Sequence, residues 1–220
     1  MTWVETAVDF VLHIDQYLAG MIDNHGDWVY LFFFLIVFCE TGLVFTPFLP
    51  GDSLIFASAT FAATGHLDLE TLIMVYLSAA ILGDFTNYHI GRFFGPWILS
   101  KKWQFISKKH IDSTKDFYED HGPKAIIIGR FLPVFRTFVP FFAGIGKMKR
   151  KKFISYSILG TALWVLPSSL GGYYFGNHPF VRANFSFVIL GIVVITLLPI
   201  FISLLLEKRN KSKDNKFKTI

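Results

Sequence analysis

Long apolar runs separated by short polar breaks fill most of the chain between residues 28 and 206. Three of these runs, roughly Leu69 to Phe94, Phe153 to Phe175 and Phe185 to Leu206, reach the ~20 residues that cross a bilayer as a helix. Two others, Trp28 to Ala63 and Ala125 to Ile145, are apolar but broken, by Pro47, Pro50 and Gly51 in the first and by Pro133 and Pro140 in the second. Trp3 to Ile22 and Trp103 to Tyr118 mix apolar residues with charges, are too polar to span, and fit helices lying in the interface with Trp or Tyr at headgroup level. The pattern predicts an all-α polytopic membrane protein. A composition of 53% hydrophobic and 18% aromatic residues and a mean hydropathy of +0.48 agree with it.

Charge adds a topology. No Lys or Arg precedes Arg92, so all 21 basic residues lie in the remainder of the chain. Basic loops stay in the cytoplasm, which places 101–124, 147–152 and the tail 208–218 inside and the acidic front of the chain outside. The three full spans then run inward, outward and inward. Each proline-broken run must therefore enter and leave on one side, the first from outside and the second from the cytoplasm, as a re-entrant helical hairpin whose tip is buried in the fold. For the first run the alternative is two ordinary spans joined by a short loop.

Short matches recur in one order: HID at His13 and His110, HG at His25 and His121, FLP at Phe48 and Phe131, and G-x-x-F-G at Gly91 to Gly95 and Gly172 to Gly176. Two such units entering from opposite faces make an inverted repeat, a plan in which transporters place their site where broken helices meet. The reading is one membrane domain over 1–206, with units at about 3–95 and 103–177, a final span at 185–206, and a basic tail at 207–220.

A charge at membrane depth costs at least ~2.5–3.5 kcal/mol and persists when paired or used. Four such groups sit on the broken runs: Glu40, Asp52, Arg130 and Arg136. A break at Pro133 lets both arginines aim into one cavity, where the two acids of the first run can neutralise them. Paired arginines can still exchange a carboxylate for a phosphate, gripped bidentately, and Glu40 is the natural proton carrier. Against this stand plain structural ion pairs, and for Asp52 a helix-capping role at the start of the following helix.

Secondary candidates are Asp84 and Asn87, one helical turn apart, with Tyr88 and Arg92 further along the same span. Arg92 either snorkels or pairs with Asp84, and Asp84 alternatively meets an arginine of the second broken run. The small residues from Gly160 to Gly172 suit an internal helix contact or a homodimer contact. The single cysteine, Cys39, excludes an internal disulfide, and no histidine spacing indicates a metal; no cofactor and no nucleic-acid partner is expected. The front of the chain lacks the basic region of a cleavable signal peptide. Gly51-Asp52-Ser53-Leu54 spells a lipase motif, but without its downstream Asp-x-x-His, and neither H-E-x-x-H nor G-x-S-x-G occurs, so catalysis is not expected.

The stretches FCETGLVFTPFLPGDSLIF, GDFTNYHIGRFFG, FYEDHGPKAIIIGRFLPVFRTFVPFFAGIGKM and GTALW before GGYYFG resemble the DedA family, also called the VTT or SNARE-associated domain family, over nearly the whole chain. The resemblance implies a multi-pass inner-membrane protein of bacteria with two opposed re-entrant hairpins and a cytoplasmic C-terminus. It implies a dependence on an acidic pair and an arginine pair, which fall on Glu40, Asp52, Arg130 and Arg136. It also implies roles in envelope maintenance, proton-motive force and drug tolerance, some members being implicated as undecaprenyl phosphate translocases and eukaryotic relatives as lipid scramblases. The leading expectation is a proton-coupled transporter of a lipid phosphate such as undecaprenyl phosphate, its tail lying among aromatic side chains such as Phe131, Phe135, Phe138, Phe141 and Phe142. The competing expectations are a proton-coupled small-ion or drug antiporter, a phospholipid scramblase, and a membrane scaffold whose charges only hold the fold.

Overall fold

A computed structural model describes residues 26–44, 51–100, 122–131, 135–176 and 178–183, with 20, 49, 187, 188, 190 and 191 besides. The interfacial helices expected at 3–22 and 103–118, the breaks at Pro47, Pro50 and Pro133, the bulk of the final span and the basic tail lie outside the described residues. Among the described residues every regular element is a helix. In chain order they are α1 (Trp28–Gly42), α2 (Gly51–Ala63), α3 (Leu69–Ser100), α4 (Gly122–Arg130), α5 (Phe135–Ile145), α6 (Arg150–Gly176) and the short α7 (Pro179–Ala183). The order is short, short, long, given twice before α7.

Leu69–Gly95 within α3, and all of α6, are long and apolar enough to cross a membrane, each with a mean hydropathy of 1.4. Both begin or end a few residues beyond the expected runs, because α3 continues past Phe94 and α6 starts in the basic Arg150-Lys151-Lys152. Large apolar side chains stand exposed on their outer faces, among them Met74, Leu82, Phe85, Ile158 and Leu163, as expected of surfaces that meet lipid rather than water. On α1, Val29, Phe33 and Val37 recur every fourth residue and are buried against α3, where Leu72, Tyr76, Ala79 and Ala80 face them.

α3 starts at a cap: the Asp68 carboxylate accepts the Thr71 N–H at 2.6 Å, while the Asp68 N–H donates to the Tyr30 hydroxyl at 2.8 Å. That backbone bond holds the exposed Asp68 carboxyl below its ordinary value. α2 and α5 end alike. His66 N–H bonds back to the Phe61 carbonyl and Met148 N–H to the Ala143 carbonyl, closing the same turn around Gly65 (φ 83°) and Lys147 (φ 54°).

The packing is crossed. α1 lies on α3 and α4 on α6, whereas α2 packs on α6 and α5 on α3. The two G-x-x-F-G motifs make the crossed contacts. A Cβ at Gly91 would stand 2.1 Å from the Phe141 carbonyl oxygen and one at Gly95 3.4 Å from Ile145 Cα; at Gly172 it would stand 2.4 Å from the Phe56 carbonyl oxygen and at Gly176 2.6 Å from the Thr60 side chain. In both cases the two glycines meet residues four apart on a short helix, so backbones touch where any side chain would separate them.

One expected break is corrected. Pro140 lies inside α5 and does not interrupt it. A proline withholds its own N–H and crowds the carbonyl four residues back, here that of Arg136, and the packing of α5 on α3 carries the helix through it.

Candidate functional site

The two arginines stand on different helices. Arg130 ends α4 and Arg136 is the second residue of α5, so the two guanidiniums leave different helix ends and still arrive at one tryptophan. Trp164 of α6 lies under both, with guanidinium carbons 5.3 Å (Arg130) and 5.1 Å (Arg136) from its ring centre, inside the range of cation–π attraction.

Arg136 collects the two acids of the first broken run. Its Nη1 donates to Asp52 at 2.8 Å and its Nη2 pairs with Glu40. Asp52 sits in the first turn of α2, where the helix N-terminus also favours a negative charge, and its Oδ1 accepts the Trp164 indole N–H at 2.8 Å. The ion-pair and helix-start readings of Asp52 therefore describe one arrangement. Glu40 is completely buried, and its carboxylate occupies the space a Cβ on Gly51 would need. Gly51 thus opens α2 and also makes room for the acid.

Arg130 does not share the acids of the first broken run; it meets Asp84, the acid whose alternative partner is an arginine of the second broken run. Its Nη1 pairs with Asp84 of α3, and Ser157 of α6 donates its hydroxyl to the same carboxylate oxygen. The four-residue cluster expected from Glu40, Asp52, Arg130 and Arg136 is instead two salt-bridged groups joined through Trp164. Asp84 belongs to it directly, because α3 passes between the broken helices and presents this residue at the level of α4 and α6. Breaking either buried pair by removing one partner leaves an uncompensated charge, worth about 3–5 kcal/mol.

The remaining candidates separate by role. Asn87 donates its amide to the Thr41 carbonyl at 3.0 Å and to the Thr137 carbonyl at 2.7 Å, fastening the end of α1 and the start of α5 to α3. Tyr88 donates to the Met148 carbonyl at 2.5 Å and accepts from Arg92 Nη1 at 2.9 Å. Arg92 thus reaches Tyr88 and not Asp84. Of the expected aromatic wall, Phe138 and Phe142 stack with ring centres 6.3 Å apart, and Phe131 is exposed.

Trp164 and Ser157 were not expected. Both look in sequence like ordinary members of an apolar span, and only the α6 face they share, where Gly160 lets the Arg130 side chain approach, brings them to the charges. Their one signal was a hydrogen-bonding group inside a membrane helix, at 157 and 164, seven residues and about two turns apart.

Residues 49–174 match the VTT domain family. The chain is 45% identical over 212 residues, 95% of its length, to Protein DedA of Escherichia coli, of which it covers 97%. It is 37% identical over 206 residues to an uncharacterized membrane protein of Mycobacterium tuberculosis, covering 92% of this chain and 90% of the relative. Against Inner membrane protein YghB of Escherichia coli the identity is 35% over 169 residues, 76% of this chain and 77% of the relative. No solved structure matches the chain.

Proposed function

The chain belongs to the DedA family of VTT-domain membrane proteins, and from that premise we propose that it carries a lipid phosphate such as undecaprenyl phosphate across the bacterial cytoplasmic membrane, driven by the proton gradient. The observation that carries the proposal is a pair of buried arginines on separate helix ends, salt-bridged to three carboxylates at the depth of two spanning helices. Guanidinium groups in that setting hold a phosphate bidentately once a carboxylate gives way.

Charge balance supports the proton coupling. With all five groups ionised, three acids face two bases, so the cluster carries one negative charge that a single proton cancels. Entry of an anionic head therefore favours protonation of a carboxylate, and loss of the proton favours its release. Glu40, with one oxygen on Arg136 and the other without a protein partner, is the carrier in this scheme. The crossed packing and the repeated element order favour two opposed re-entrant hairpins in an inverted repeat, with the cluster at the midplane and the C-terminus in the cytoplasm. Phospholipid scrambling or small-ion antiport would use the same residues.

Proteoliposomes carrying a fluorescent polyprenyl phosphate test this. The native chain should move the lipid, an imposed proton gradient should speed it, and Glu40→Gln should remove the acceleration. Movement of ordinary phospholipid at the same rate without a gradient would establish a scramblase. Proton flux with no lipid movement would establish an ion pathway.

A further inference from the structure

The two arginines are not equally committed. A guanidinium offers five N–H donors in a planar fork. Arg136 gives Nη1 to Asp52 and Nη2 to Glu40, so both arms of its fork hold carboxylates. Arg130 gives Nη1 to Asp84, while its Nε and Nη2, buried in a residue only 4% exposed, have no protein acceptor. Those two donors form one edge of the guanidinium, the edge that two oxygens of a phosphate span.

An apolar groove reaches Ser157, which shares an Asp84 oxygen with this arginine. It has a volume of ≈ 230 Å³ and lies between the two spanning helices, lined by Ile81, Leu82 and Phe85 of α3 and by Phe153, Ile154 and Ser157 of α6. Leu82 and Phe85 are exposed at its mouth, so at this depth it opens to hydrocarbon. Its one polar side chain, Ser157, donates to the Asp84 oxygen that also accepts from Arg130. The groove therefore ends at a hydroxyl that shares one carboxylate oxygen with Arg130, the arginine that keeps two donors unused.

We propose that Arg130 is the phosphate grip and that the groove between α3 and α6 holds the first part of the same lipid's hydrocarbon chain. The phosphate takes the Nε and Nη2 edge, while Asp84, held by Ser157, keeps Nη1 and Arg136 stays with its carboxylates and serves the proton step. This rests on the reading that the transported molecule is a lipid phosphate, and it assigns to each arginine a separate task.

The test is photo-crosslinking of the full chain in proteoliposomes with a polyprenyl phosphate bearing a diazirine close to its head. Crosslinks should fall within 81–85 and 153–157. Unlabelled lipid phosphate should compete better than the same-chain alcohol or inorganic phosphate, each by about tenfold or more. Arg130→Lys should weaken binding by about tenfold or more, since lysine cannot form the fork, and by more than Arg136→Lys, which leaves the Arg130 edge in place. Leu82→Trp, placed on the lipid-facing mouth and away from the charges, should weaken lipid binding and decides the matter if an arginine variant does not fold. Competed crosslinks elsewhere, sensitivity of Arg136→Lys alone, or an unaffected Leu82→Trp would overturn the assignment and leave lipid-phosphate transport standing. Inorganic phosphate competing as well as the lipid would remove the groove from it. Absence of any phosphate-dependent crosslink would remove the underlying reading as well.

Discussion

Replacing Trp164 separates two contributions that the structure superimposes on one ring. Trp164→Phe keeps an aromatic face under the guanidiniums, 5.1 and 5.3 Å away, but deletes the indole N–H that meets Asp52 at 2.8 Å. A hydrogen bond to a charged acceptor is worth about 1.5–3 kcal/mol, and that is the expected loss of stability. Trp164→Leu also removes the cation–π attraction, about 0.5–2 kcal/mol for each guanidinium. The order native, Phe, Leu should appear in chemical unfolding of the purified protein, with Leu lower than Phe by at least ~1 kcal/mol. Asp52→Asn supplies the control. With the carboxylate neutralised, the Trp164→Phe loss should shrink, giving a coupling energy of at least ~0.5 kcal/mol in the double-mutant cycle. If Phe and Leu are equally tolerated, or the Phe loss is unchanged in the Asp52→Asn background, Trp164 is filling space and does not organise the charges.

Three further outcomes follow from the geometry. Gly91→Ala and Gly172→Ala should each destabilise the protein by about 1–3 kcal/mol or more, because the new methyl meets a backbone oxygen that cannot swing aside, whereas Gly171→Ala, with nothing within 4 Å, should be neutral or stabilising in the same thermal-unfolding assay. Lys147→Gly should raise stability by about 1 kcal/mol, since lysine holds there a left-handed conformation that the equivalent turn of α2 gives to Gly65. The Asp68 carboxyl has a folded pKa below its ordinary 3.8, so its contribution is present above that value and is lost as pH falls through the folded pKa; Asp68→Ala should lower stability at neutral pH and flatten this acid limb of an unfolding profile.

How much of this was legible depended on whether a residue's partner lay nearby in sequence or across the fold. The spans at α3 and α6 follow from length and hydropathy, and Glu40, Asp52, Arg130 and Arg136 stand out because charge in an apolar run has no cheap explanation. Which acid meets which base was not legible. The partners are 46, 84 and 96 residues apart, and their pairing depends on how α3 packs against α1, α5 and α6, which no local pattern records. Asp84 was therefore ranked below the residue pair it completes. Pro140 was misread for the opposite reason: a proline is a strong local signal, and α5 is held by its neighbours firmly enough to ignore it. Trp164 was hidden in plain view, since a tryptophan in a membrane span draws notice only once something charged is found beneath it.

The crossed packing has a consequence for biogenesis. Arg136 is synthesised 96 residues after Glu40. At a ribosomal pace of 5–20 residues per second, that separation is an interval of about 5 to 20 s. Through it α1 and α2 have neither their guanidinium partner nor the helix on which α2 will rest. Their two acids must wait protonated, or in contact with water, until the second half of the chain emerges. A nascent chain stalled in that interval displays a half-built membrane protein whose Glu40 and Asp52 still lack their counter-charge.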